Sequence, residues 1–132
     1  MVCKIKSICT PIKMNKITFI VLPYMPLLFC IGIITTTILG LIPSNTVPNA
    51  FQFWDKAQHT LAFLMLAMTG GLAFPKKSNQ VFMGLIIYGA LIEIMQSTLT
   101  TTRFGDVWDW VADGVGVFIG MAVYVKLTKM QS

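Results

Sequence analysis

Charge is what this sequence has least of. Asp, Glu, Lys and Arg make up 11% of its 132 residues, with five acids, one histidine and a single arginine, Arg103. A globular domain carries about 25% charged residues, and a soluble chain of this length needs them to cover its surface. Their scarcity argues against a soluble fold. Cysteine is sparse as well. Cys3, Cys9 and Cys30 have no paired spacing, which speaks against a disulfide framework, and one Cys-x5-Cys pair does not make a metal site. Nor is there a basic face interleaved with aromatics, so the net charge of +5 does not indicate nucleic acid as a partner.

What the chain does have is apolar residues, 55% of the total, in long blocks. With a mean hydropathy of +0.74, the pattern is that of a membrane protein. Four blocks read as spans: Ile17 to Ile42, Ala57 to Phe74, Val81 to Leu99 and Val107 to Val125. Lengths of roughly 18 to 26 residues, at about 1.5 Å each, cover a hydrocarbon core of about 30 Å. The expected architecture is all-α, a polytopic four-transmembrane-helix bundle. Residues 1–16 form a basic tail, 17–42 the first helix, 54–125 a three-helix polar-pocket region and 126–132 a second tail. Pro23 and Pro26 either kink the first span or leave Ile17 to Leu22 as an interfacial entry segment. The block is too long for a signal-peptide core and no small-x-small cleavage site closes it, so a retained helix is expected.

Basic residues set the orientation. Lys4, Lys6, Lys13 and Lys16 precede the first span, Lys76 and Lys77 lie between the second and third, and Lys126 and Lys129 follow the fourth. With four spans all of these share one side, and the opposite side keeps Lys56 and Arg103. The positive-inside rule then makes both termini cytoplasmic. Asp55, His59, Glu93, Asp106, Asp109 and Asp113 all fall in the outer half, with Glu93 and Asp113 about 9 Å below the surface.

Helical spacing gathers these groups on facing stripes. Asp106, Asp109, Asp113, Gly116 and Gly120 follow a 3, 4, 3, 4 spacing; Gly89, Glu93 and Gln96 share a face, as do Asp55, His59 and Phe63. Gly89, Gly116 and Gly120 would let the helices approach closely. The reading is a polar pocket among the last three spans, open outward, with Arg103 reaching over it.

Several chemistries suit such a pocket. Glu93 and His59 are candidate proton-transfer groups, Lys56 and Arg103 candidate partners for an anionic head group, and Asp109 a candidate for orienting His59 or Arg103. Asp55 is the expected partner of His59. Asp55, Gln96, Asp106 and Asp113 complete the candidate ligand-binding set. No nucleophile stands out, since Thr60, Ser97 and Thr98 lie in helices where hydroxyls bond their own backbone. No cofactor is expected; as a metal site, Asp109, Asp113, Glu93 and His59 are candidates for an oxygen-rich divalent cation, without a local ligand motif. The competing reading is structural, an Asp/Glu/His/Arg network that glues three helices together. Against it stands the mutual repulsion of so many carboxylates. Transport is disfavoured, because no internal repeat is visible and the polar layer stops halfway down. Trp54, Trp108 and Trp110 read as interfacial anchors.

The motifs Asp55-Lys56-x-x-His59, Glu93-x-x-Gln96 and Arg103-x-x-Asp106-x-x-Asp109-x-x-x-Asp113-x-x-Gly116-x-x-x-Gly120 resemble those of the VanZ-like family of small bacterial membrane proteins. The resemblance runs from about Trp54 to Gly120, and the first span carries no motif of its own. It implies a protein of the cell envelope, in a family whose named member is associated with resistance to the glycopeptide teicoplanin. Where the family pattern usually has asparagine, this chain has Asp113. The partners it implies are the bilayer and a lipid head group or lipid-linked envelope precursor, with homo-oligomers left open. Enzyme, binder and scaffold all remain compatible with it.

Overall fold

The computed structural model describes residues 20–42, 52–99 and 105–130, with the side chains of 52–55 outside the description. Four long helices follow one another: α1 (Met25–Leu41), α2 (Gln52–Ala73), α3 (Ser78–Leu99) and α4 (Val107–Met130). Short 3-10 turns, Leu22–Tyr24 and Pro75–Lys77, lead into α1 and α3.

Local chemistry accounts for the helix ends. Pro23 and Pro26 each sit in the first turn of a helical segment, where the missing N–H has no partner to lose. The backbone stays in the right-handed helical region at Val21, Tyr24 and Met25, so the 3-10 turn runs on into α1. That helix stops at Ile42, which is extended at ψ 129°, as expected before a proline (Pro43). Between α2 and α3 the Phe74 N–H donates to the Gly70 carbonyl at 2.9 Å, and the Lys77 N–H to the Phe74 carbonyl at 2.8 Å, which turns the chain back within a few residues. Asp106 caps α4: its Oδ1 accepts the Trp108 N–H at 3.0 Å and its carbonyl accepts the Asp109 N–H at 2.9 Å.

The bundle runs up and down. Gly32 of α1 faces Leu66 of α2, Gly70 faces Val81 of α3, and Gly89 of α3 faces Asp113 of α4. The most extensive pairing is between α2 and α4, which lie parallel, Lys56 beside Asp109, His59 beside Asp113 and Gly71 beside Tyr124. Two glycines make this approach possible. A Cβ on Gly116 would strike the Thr60 carbonyl oxygen, and one on Gly120 the Leu64 carbonyl oxygen, so the α4 backbone rests on the α2 backbone. Phe63, Leu66, Ala67, Leu85 and Val117 fill the centre. Ile31, Ile34, Leu61, Met65, Ile87, Leu91, Ile94 and Phe118 are exposed, an outward apolar coat that suits lipid and not water.

Three helical stretches are long and apolar enough to cross a membrane: Leu22–Leu41, Pro75–Leu99 and Val107–Met130. Of the four expected spans, three thus meet these criteria among the described residues, within a multi-span all-α bundle. α2 falls short because Lys56, Gln58, His59 and Thr60 occupy its early turns. Its apolar remainder, Leu61–Ala73, is about 20 Å of helix, less than a bilayer core of about 30 Å.

Candidate functional site, a buried polar cluster

His59 of α2, Glu93 of α3 and Asp113 of α4 converge near one end of the bundle. One ligand atom from each lies within 4.8 Å of the others. His59 Nδ1 and Asp113 Oδ1 are 2.9 Å apart, with side-chain exposures of 10% and 2%. Glu93 Oε2 accepts the Asp106 N–H at 2.8 Å, which ties α3 to the entry of α4. Gln96, one turn from Glu93 toward the same end, donates through Nε2 to the Gly40 carbonyl of α1 at 2.8 Å. Thr60 Oγ1 donates to the Ala112 carbonyl at 3.1 Å. These polar bonds, one buried and the others part-buried, join all four helices.

Glycine gives the cluster its tightness. A Cβ on Gly89 would come within 3.0 Å of Asp113 Oδ2, and one on Gly105 within 2.7 Å of the Glu93 carbonyl oxygen. Two carboxylate oxygens in this space, Glu93 Oε1 and Asp113 Oδ2, are buried without a hydrogen-bond partner. Unpartnered buried oxygens cost about 1–3 kcal/mol each, more when charged.

Above the cluster sits a second, more exposed group. Lys56 Nζ donates to Asp109 Oδ1 at 2.6 Å and to Asp106 Oδ2 at 3.0 Å. Lys56 and Asp106 precede the apolar parts of α2 and α4. The Asp106 carboxyl is held below its ordinary range of 3.8, first by the Trp108 N–H and then by Lys56. The Lys56 ammonium is held above 10.5, chiefly by its bond to Asp109. The bridge clamps the start of α4 against α2.

These positions revise the expected pocket. Glu93, Gln96 and Asp113 are 8%, 2% and 1% exposed, so the acidic cluster is buried and does not open outward. The helices approach too closely at Gly89, Gly116 and Gly120 to leave a cleft. Two cavities lie elsewhere, one of about 740 Å³ between Phe82, Phe118 and Lys126, the other of about 400 Å³ between Phe29, Phe74 and Tyr88. Lys56, read as an anion-binding group, is taken up by Asp106 and Asp109. Asp109, read as the orienter of His59 or Arg103, bonds Lys56, and His59 pairs with Asp113. The Asp55 side chain and the whole of Arg103 lie outside the described residues.

Some contacts carried no readable signal. Tyr88 OH donates to the Ile33 carbonyl at 2.9 Å and lies 2.8 Å from Thr37 Oγ1, binding α3 to α1 at mid-depth. Trp110 Nε1 donates to the Ile86 carbonyl at 3.1 Å, so this indole packs between helices in addition to any interfacial role. The role of α1 was not apparent from motifs, because its contribution is backbone: the Gly40 and Ile33 carbonyls accept from side chains of α3.

No curated protein and no solved structure matches the chain. A family model does, over residues 14–128, which takes in the first helix as well as the motif-bearing region. On that match, and with the motif residues of α2, α3 and α4 drawn together in one bundle, the chain belongs to the VanZ/LLP1 family.

Proposed function

We propose that this is a structural membrane protein of the bacterial envelope, in which the His59–Asp113–Glu93 cluster braces the bundle and does not process a substrate. The observation behind this reading is the burial of the three side chains together with their bonds across helices: His59 to Asp113, Glu93 to the Asp106 N–H, and Gln96 to Gly40. Each bond joins two segments of the bundle, and the cavities beside Phe82 and Phe29 lie away from them. In such a protein the polar groups select one packing of helices whose surfaces are otherwise interchangeably apolar.

The reading includes α2 as a fourth crossing. It lies parallel to α4 from Lys56 and Asp109 to Gly71 and Tyr124, so it occupies the same depth while α4 shields its polar turns. Four crossings put Lys76, Lys77, Lys126 and Lys129 on one side, cytoplasmic by the positive-inside rule, and the acidic cluster near the outer face. The resistance link belongs to the family and assigns no drug or precursor to this chain.

The test is replacement of His59, Glu93 and Asp113 singly by alanine, with thermal unfolding in detergent and an envelope phenotype measured in parallel. Bracing predicts that every replacement lowers the unfolding temperature and that any loss of function tracks the stability loss. An enzyme or head-group site predicts unchanged or raised stability with function abolished.

A further inference from the structure

Two ionised carboxylates and a neutral imidazole, enclosed in an apolar bundle, carry a charge of −2 that the surrounding medium cannot solvate. The described lysine at this end, Lys56, is already held by Asp106 and Asp109. Two further facts point the same way. Glu93 Oε1 and Asp113 Oδ2 are buried without a partner, on side chains of residues 8% and 1% exposed. Asp113 Oδ2 is directed at Gly89, one turn of α3 from Glu93, where a Cβ would stand 3.0 Å away. The missing side chain lets the oxygen that lacks a partner lie against the α3 backbone, on the helix that carries Glu93.

We propose that His59, Glu93 and Asp113 bind one divalent first-row metal ion in the core of the bundle. The ion would take one nitrogen and two carboxylate oxygens from three different helices. Its charge of +2 would cancel the two carboxylates, and both unpartnered oxygens could be satisfied at once. A tetrahedral ion with bonds of about 2.1 Å holds its ligand atoms about 3.4 Å apart. The ligand atoms of the three residues lie within 4.8 Å of one another, so closing on such an ion asks for a contraction of at most about 1.4 Å. Mixed imidazole and carboxylate donors suit zinc or manganese better than magnesium or calcium, which favour oxygen alone. The Asp106 N–H on Glu93 Oε2 supplies the outer bond that orients a ligating carboxylate. Asp109 is not part of the set, since it is bonded to Lys56.

Bracing needs no ion, so the two readings fail separately. The full chain, purified in detergent, is stripped with EDTA and dialysed against Zn²⁺, and bound metal is counted by mass spectrometry. One ion per chain is expected. Glu93→Gln and Asp113→Asn should weaken Zn²⁺ binding by more than the roughly 10–100-fold that loss of an outer partner costs, and Asp109→Asn should leave it unchanged. Should a ligand variant fail to fold, X-ray absorption of the Zn²⁺-loaded wild type must show one imidazole among light oxygen ligands. Wild type that retains no zinc, a coordination shell without imidazole, or equal binding by folded ligand variants and Asp109→Asn would overturn the site. None of these results bears on the stability losses that test bracing in metal-free protein.

Discussion

A methyl group added at Gly116 has nowhere to go. It would meet the Thr60 carbonyl oxygen, with the Thr60 carbonyl carbon at 3.0 Å and the Leu64 nitrogen at 3.1 Å. All three are backbone atoms, so no rotamer change relieves the overlap, and α4 must move away from α2. Overpacking of this kind costs about 1–3 kcal/mol, against a gain of up to about 1 kcal/mol from replacing helical glycine by alanine. The shift also lengthens the bonds that cross the same seam, His59 to Asp113 and Thr60 to the Ala112 carbonyl, so the net effect of Gly116→Ala is destabilising. At this chain length each kcal/mol moves the midpoint by about 4 °C. Thermal unfolding in detergent should show a loss of up to about 8 °C. Gly84 is the control, because nothing lies within 4 Å of a Cβ there, and Gly84→Ala should unfold at or slightly above the wild-type temperature. Equal midpoints for the two variants would refute the claim that α2 and α4 touch through their backbones.

Other consequences follow from the same contacts. Asp113→Ala removes the His59 partner and leaves a void, and should cost about 1–3 kcal/mol, whereas Asp113→Asn, the residue usual in the family pattern, keeps an acceptor and should lose less than half as much by the same thermal assay. Gln96→Leu removes the bond to Gly40 and should weaken the attachment of α1 by about 0.6–1.7 kcal/mol, read as faster disulfide trapping of cysteines placed on α1. The Lys56 bridge should depend on pH. Because the Asp106 carboxyl is lowered from 3.8, its contribution is present at neutral pH and disappears as pH falls through the folded value; because Lys56 is raised from 10.5, its contribution disappears as pH rises through its own folded value. Lys56→Met should therefore unfold earlier than wild type at pH 7, and the gap should narrow as pH falls through the folded Asp106 value.

Helix number and class were legible in the sequence because apolar block length is a strong signal, and the 3, 4, 3, 4 spacing of Asp106 to Gly120 marked one face of α4. Convergence of His59, Glu93 and Asp113 could be anticipated from depth and azimuth. Burial could not. Whether facing stripes enclose water or close on each other depends on interhelical distance, which here is set by the backbone contacts at Gly116 and Gly120. The same glycines that marked the stripe also removed the cleft. Pair choice was equally hidden, since Lys56 lies within reach of several carboxylates and only the packed bundle selects Asp106 and Asp109. The shortfall of α2 as a span was visible in its polar early turns, but the shielding by α4 was not.

A double-mutant cycle on His59 and Asp113 tests the bracing claim most directly, with unfolding free energies measured for the wild type, His59→Ala, Asp113→Ala and the double variant. Bracing across the α2–α4 seam predicts a coupling energy of about 1–3 kcal/mol, and single losses that add to within about 0.3–0.5 kcal/mol would contradict it.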